Sequence, residues 1–203
     1  MKIKLFGNYF VRITDDEKEF REFFSKNRSV IFSENITLNL SSFLTEDETD
    51  KINHLRKNTG NFYKLQMYIL KEKEIIGWSF GTQTDHETFY MINTAIFKEH
   101  QNKGIYKSLL PKILDILKEK GFQKVYSRHH ATNNQVIVPK LRQGFIITSF
   151  EISEIFGIMI HLTYFFNEYR KKTIEYRVGK LKPDFKMRNA LSLDDDQKDE
   201  KKE

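Results

Sequence analysis

The stretch from Glu87 to Phe145 constrains this chain more than any other. An apolar run, Phe89-Tyr-Met-Ile-Asn-Thr-Ala-Ile96-Phe97, leads into a short basic turn, Lys98-Glu-His-Gln-Asn-Lys-Gly104-Ile-Tyr106. An amphipathic run then continues from Ile105 to Leu117. Strand, glycine turn and helix in that order bind phosphate groups, because the turn's N–H groups and the positive end of the helix dipole point at one place.

The rest of the chain supplies an α/β setting for that unit. Residues 2 to 13 alternate loosely through Ile3, Leu5, Tyr9, Val11 and Ile13 and predict a first strand. Thr14-Asp-Asp-Glu17 reads as a capping box opening a helix to about Lys26, with Phe20, Phe23 and Phe24 on its inner face. A second box, Thr45-Glu-Asp-Glu48, opens a helix carrying Ile52 and Leu55 and ending near Gly60. Strands follow over Tyr63–Lys71, Ile75–Thr84 and Thr88–Phe97, and the short charged turns between them predict an antiparallel meander.

After the glycine turn, Ile105, Leu109, Ile113, Ile116 and Leu117 form one stripe of a helix that Gly121 stops. Gln123–His130 reads as a strand, Thr132–Arg142 as a short helix, and Gly144–Ser153 and Ile158–Asn167 as two more strands. The step from Thr88–Phe97 through the long helix to Gln123–His130 makes a right-handed parallel crossover. The sheet is therefore mixed, mostly antiparallel and twisted, with about seven strands flanked by helices. Pro111 and Pro139 lie beyond the first turn of their helices, where proline removes a hydrogen bond and clashes, so a kink is expected at each. One domain is expected over residues 1–172, with a charged extension over 173–203 whose last ten or so residues read as disordered.

Composition narrows the function classes. The 203 residues suffice for one domain with a sizeable core. No cysteine is present, which excludes disulfides, thiolate metal sites and cysteine nucleophiles and fits a reducing compartment. No apolar run approaches the roughly 20 residues of a membrane span, and the N-terminus is too polar for a secretory core, so a cytoplasmic protein is expected. The net charge of +6 hides an asymmetry: residues 194–203 hold six acids and three lysines, leaving 31 basic against 22 acidic residues, or +9, for the body. Such an excess suits an anionic partner, a nucleotide cofactor or a nucleic acid. The 18 Phe and 9 Tyr could stack on single-stranded nucleic acid, but they fall mostly at core-facing positions, so core filling is the better reading.

Two motifs in these residues resemble the GNAT superfamily of N-acetyltransferases. The family's Arg/Gln-x-x-Gly-x-Gly/Ala motif between strand and helix is matched by Gln101-Asn-Lys-Gly104-Ile-Tyr106. Its second motif, an asparagine opening a short helix that ends in Gly-Phe, is matched by Asn133 through Gly144-Phe145. The resemblance covers about Tyr63 to Phe165. It implies the GNAT fold and acetyl transfer from acetyl-CoA, with no metal, to an amine of a small molecule or a protein, in a monomer or homodimer.

By resemblance, Gln101, Asn102, Lys103, Gly104, Ile105, Tyr106 and Lys107 hold the coenzyme's diphosphate. The main chain of Thr94, Ala95 and Ile96 pairs with the pantetheine arm between two splayed strands, and Asn133 contacts the cofactor near its thiol. The sequence departs from the family at three places. Tyr106 replaces the small residue that ends the first motif. Lys140 stands where many members carry a tyrosine acid, and Tyr90 where some carry a glutamate base. A lysine donates a proton near neutral pH only if burial lowers its pKa. Tyr90, Lys140 and His130, one of an adjacent histidine pair whose rings point to opposite faces of a strand, are the candidate catalytic groups. His161 falls in an apolar run, while His86 and His100 lie in turns and read as solvated. The missing acid and base leave open a non-catalytic acyl-CoA sensor, and the basic charge a nucleic-acid-binding protein, which ranks last.

Overall fold

Gly7 takes a φ of +47°, and there the alternating N-terminal run folds back on itself. The single strand expected over residues 2–13 is instead a hairpin of β1 (Lys2–Phe6) and β2 (Tyr9–Ile13). Both halves keep the alternation, which is why periodicity alone concealed the turn. The computed structural model describes residues 1–32, 44–57, 60–191 and 193. The side chains of Ile52 and Leu55 and the terminal charge run at 194–203 lie outside the described residues.

Helix α1 (Glu17–Ile31) begins at a different cap from the one expected. Asp16 is the N-cap and accepts from the Glu19 amide at 2.9 Å, while the Thr14 hydroxyl accepts from the Asp16 amide at 3.2 Å. Aspartate caps at least as well as threonine. In α2 (Glu46–Lys57) the expected box does form: the Thr45 amide donates to Glu48 Oε2 at 2.8 Å and the Glu48 amide donates to Thr45 Oγ1 at 3.2 Å.

Strands β3 (Lys64–Lys71), β4 (Glu74–Gln83) and β5 (Thr88–Ile96) form the meander. A 3-10 turn (Lys98–His100) leads to α3 (Ile105–Glu119), then β6 (Lys124–His130), α4 (Asn134–Arg142), β7 (Ile146–Ser153) and β8 (Gly157–Phe165). α3 and α4 each continue across their proline. The sheet has eight strands in the order β1-β2-β3-β4-β5-β6-β8-β7, one more than expected because of the N-terminal hairpin. β1 to β5 and the β7–β8 pair are antiparallel, whereas β5 and β6 run parallel.

The chain divides into two units, Met1–Tyr164 and Phe165–Glu203. In the first, α1 lays an aromatic face on the sheet: Phe20, Tyr68, Trp78 and Ala95 are buried, with Phe23, Phe24 and Phe80 packed around them. Phe23 and Phe24 meet the Trp78 ring edge-on at 6.0 and 5.6 Å, contacts worth about 0.5–1.5 kcal/mol each beyond area burial. In the second unit, α5 (Glu168–Arg177) is capped by Asn167 and α6 (Phe185–Ala190) by Asp184.

Candidate active site

β5 and β6 pair over only three residues, Thr88–Tyr90 against Lys124–Tyr126, and then part. A bulge marks the parting. β4 pairs Phe80 with Asn93 and Gly81 with Met91, so Ile92 is the extra residue on β5. At Gly81 an added Cβ would lie 2.4 Å from the Phe89 ring and 2.4 Å from the Tyr90 carbonyl oxygen, so only glycine lets the strands approach here. Beyond the bulge β5 bonds to β4 on one edge only. The main chain of Asn93, Thr94, Ala95 and Ile96 therefore has hydrogen-bonding capacity that no strand uses, and a ligand lying there would satisfy it.

The glycine turn follows at the end of β5. Gly104 is the α3 N-cap in a left-handed conformation, φ +78°, with nothing within 4 Å of where a Cβ would be. Its carbonyl accepts from the Ser108 amide at 3.1 Å, which leaves the amides of Ile105, Tyr106 and Lys107 as the first-turn donors with no intrahelical partner. Tyr106 lies within α3 and is absent from the positive-φ residues, so its side chain places no strain on the turn. Burial pushes its phenol pKa well up. The Gln101 side chain ties the turn to the strand by donating to the Ile96 carbonyl at 2.8 Å.

A buried polar chain lies across the opening. Lys140, on α4, is 1% exposed, and its ammonium donates to Ser127 Oγ at 2.6 Å and approaches Met91 Sδ at 3.6 Å. The Phe145 ring stands 4.8 Å from the same nitrogen. One hydroxyl, one thioether and a ring do not replace the water an ammonium loses, and burial lowers the pKa from 10.5 to about 7. His129 Nε2 lies 2.9 Å from the Ser127 hydroxyl. Burial, with the Lys140 charge second, lowers its pKa to about 3, so at neutral pH the imidazole is uncharged and shares a hydrogen bond with the Ser127 hydroxyl.

The alternate β6 positions face the other way. Tyr90 stacks on Tyr126 at 4.7 Å, and its hydroxyl accepts from Arg128 Nε at 3.0 Å. Arg128 also donates to Glu151 at 2.8 Å, and Glu151 meets His161 at 2.6 Å, so four strands are tied together beside the opening. His130 sits edge-on to Phe156 at 6.2 Å.

One cavity of about 830 Å³ joins these parts. Of the residues singled out in the sequence, Tyr90, Thr94, Ala95, Ile96, Gln101, Asn102, Gly104, Ile105, Tyr106, Lys107, His130, Asn133 and Lys140 line it. Lys103 does not, and its ammonium is turned back onto the Glu99 carbonyl at 2.7 Å. Asn133 occupies the α4 N-cap position, yet its side chain makes no capping bond and lines the cavity instead.

Ser127 and Arg128 escaped the sequence reading, His129 was noted only as the other member of the pair with His130, and His100 was read as solvated. The last is 7% exposed and lines the cavity, contrary to the solvated position expected of it. The Ser127–His129 spacing of two residues on one strand face was the available signal for those two. No carboxylate lines the cavity among the described residues, nor do they hold a cluster of three metal-ligating side chains. No described helix is long and apolar enough to cross a membrane.

Comparison with known proteins agrees with this geometry. The family described as the acetyltransferase (GNAT) family matches residues 19–145. No curated protein matches the sequence at a significant level. Among solved structures, the ribosomal-protein-S5-alanine acetyltransferase of Vibrio fischeri superposes with a TM-score of 0.60 at 14% identity, covering 83% of this chain and 98% of that one. RimL, a ribosomal L7/L12 α-N-protein acetyltransferase in complex with coenzyme A, gives 0.58 at 13%, covering 81% and 98%. YncA, a putative acetyltransferase from Salmonella typhimurium with its cofactor acetyl-CoA, gives 0.57 at 14%, covering 80% and 96%. At such identities these likenesses establish the fold.

Proposed function

The chain belongs to the GNAT acetyltransferase family, and from that premise we propose that it transfers the acetyl group of acetyl-CoA to an amine by direct attack in a ternary complex. The observation that carries this reading is the opening between β5 and β6 past Tyr90. The orphan amides of Ile105–Lys107, the stretch Thr94–Ile96, which pairs with β4 but lies past the last β6 pairing, and the buried Lys140 all line one cavity there. RimL and YncA carry coenzyme A and acetyl-CoA in their own structures, which supports the same ligand here. A cytoplasmic setting belongs to the proposal and suits the cysteine-free composition.

Acetyl-CoA supplies a thioester, an acyl carbon open to an amine lone pair. The α3 amides hold the diphosphate with the help of Lys107, and Gly104 keeps their approach open. An amide among Thr94–Ile96 suits the thioester carbonyl oxygen, where negative charge grows. Asn133 Oδ1 and Nδ2, unused in capping, suit the polar arm near the thiol.

As the new C–N bond forms and the C–S bond breaks, the departing sulfur needs a proton. Lys140 holds one at Nζ with a pKa of about 7, close to that of an ordinary thiol near 8.5. The amine also sheds a proton, and His130, which lines the cavity, serves to take it and pass it to solvent. Tyr90, fixed by Arg128, serves to position the acceptor.

A turnover assay tests the proposal. Acetyl-CoA with a panel of free amino acids, peptides with free α-amines, polyamines and aminoglycosides should yield acetylated amine and stoichiometric free thiol from at least one member. Binding of acetyl-CoA without turnover on any of them would overturn the enzyme in favour of an acyl-CoA sensor.

A further inference from the structure

Four cationic side chains line the cavity, Arg28, Lys107, Arg128 and Lys140, and no carboxylate does so among the described residues. The proposed reaction employs two of them, Lys107 toward the diphosphate and Lys140 toward the sulfur. Arg28 has no part in it, and Arg128 enters only by fixing Tyr90. Arg28 makes no ion pair with a described residue, and its guanidinium lies 6.0 Å from the centroid of the Phe24 ring.

Arg128 is held in place from several sides. Nε donates to Tyr90 Oη at 3.0 Å, Nη1 donates to Glu151 Oε1 at 2.8 Å, and the guanidinium stands 5.4 Å from the Tyr90 ring centroid. Glu151 is itself braced, its Oε2 lying 2.6 Å from His161 Nε2. An arginine carries five N–H donors, so with two in use three remain. Nη2 takes no bond from a described residue, yet it is not sealed from solvent, and the side chain keeps 31% of its surface exposed. Along β6, Arg128 alternates with Ser127 and His129, the two residues beside Lys140, so it stands on the opposite face of the strand. With the acid for the sulfur on one face, the other is the side left to the acceptor.

We infer that the acceptor amine bears a carboxylate, which the remaining N–H groups of Arg128 receive, with Arg28 adding charge at the cavity wall. The inference rests on the acetyl-transfer reading above. A guanidinium fixed at two of its nitrogens has little freedom left to lose on binding, and its planar fork matches the two oxygens of a carboxylate. Glu151 balances the formal charge of Arg128, so the pair offers directed donors, and Arg28 supplies the uncompensated charge. The same pattern selects against polycations. A polyamine or aminoglycoside would bring its further ammonium groups to a wall where no described carboxylate receives them.

The test is acetyl transfer by the full chain to paired acceptors that differ in one carboxylate. Free amino acids are set against their carboxamides, and peptides beginning with aspartate or glutamate against the same peptides beginning with asparagine or glutamine. Rates are expressed per unprotonated amine, because amidation lowers the amine pKa. In the wild type, kcat/KM should favour the carboxylate member about 10- to 100-fold in at least one set, the loss expected when a hydrogen bond to a charged group is removed. Which set does so tells whether a main-chain or a side-chain carboxylate is read. Arg128→Gln should collapse that ratio toward one through the KM of the carboxylate member, and Arg128→Lys, a point charge without the fork, should restore part of it. Any loss from freeing Tyr90 falls on both members of a pair and cancels in the ratio. An unselective wild type, or a ratio that survives in Arg128→Gln, would overturn the inference. So would turnover confined to polyamines or aminoglycosides, an outcome that leaves acetyl transfer standing. No turnover of any amine overturns the parent reading along with it. The wild-type comparison needs no substitution, so it decides the matter even where a variant fails to fold.

Discussion

Replacing Lys140 with Met probes the chemistry and the energetics of the site together. The side chain is 1% exposed, and its pKa is lowered from 10.5 to about 7 by burial. An amine whose folded pKa lies below its unfolded value destabilises the fold in full at low pH, where both states carry the proton. That penalty is relieved as pH climbs from the folded pKa toward the unfolded one, because there the unfolded chain binds a proton the folded one has shed. From pH 7 to 9 the stability of the wild type should therefore rise by about 2 kcal/mol relative to Lys140→Met, at about 1.4 kcal/mol per unit once the folded group is neutral.

Urea unfolding at both pH values, followed by the fluorescence of the one tryptophan, buried Trp78, reads that difference directly. A gap between the two proteins that stays flat from pH 7 to 9 would refute a lysine depressed by burial. In turnover, the same group predicts a wild-type kcat that falls as pH rises past about 7, where the acid form is lost. It also predicts a drop of about 10²–10⁴-fold in Lys140→Met, with that alkaline limb removed.

Other perturbations test the surrounding parts. Among the described residues Ser127 supplies the one oxygen that accepts from the Lys140 ammonium, so in Ser127→Ala the alkaline limb of the rate profile should move to lower pH; an unmoved limb means the hydroxyl does not tune the lysine. Gly81→Ala drives a Cβ to 2.4 Å from the Tyr90 carbonyl oxygen at the bulge, and urea unfolding should show a loss of about 1–3 kcal/mol. Asn133→Ala should leave the melting temperature of the free protein nearly unchanged, since no capping bond is lost, while weakening acetyl-CoA in a titration. A stability loss of about 1 kcal/mol with unchanged affinity would assign the residue to capping instead.

What the sequence disclosed and what it hid follow from how local each signal is. The strand, glycine turn and helix around Gly104 are written in consecutive residues, and so is the Thr45–Glu48 box, because both depend on hydrogen bonds within one turn. The N-terminal hairpin was hidden because Gly7 interrupts an alternation that resumes in phase. Thr14 and Asp16 competed for one cap, and the choice fell two residues later than the motif suggested.

The inner workings of the site were less legible. Lys140 could be placed at an acid's position, but its pKa is lowered by burial, and the groups around its ammonium come from β5, β6 and the turn after α4, which meet only in the fold. The Tyr90–Arg128–Glu151–His161 network depends on strand register over four strands, and no spacing along the chain announces it. Lys103 has the charge expected of a phosphate ligand, yet a carbonyl one turn back takes its ammonium. His100 lies in a turn, as read, and turns are usually wet. This one is buried.

The proposed acetyl transfer requires acetyl-CoA in the opening between β5 and β6 with its diphosphate at the first turn of α3. Isothermal titration of the wild type and Gly104→Asp with acetyl-CoA tests that claim most directly. At Gly104 nothing lies within 4 Å of the new Cβ, and the left-handed φ of +78° strains an aspartate by about 1–2 kcal/mol, so the variant should fold with reduced stability. Its carboxylate would stand where phosphate oxygens belong. Saturable one-to-one binding to the wild type and none to the variant is the expected result, with the ligand-free variant still folded and melting a few degrees lower. No binding to the wild type at millimolar acetyl-CoA, or equal binding to both proteins, would contradict it.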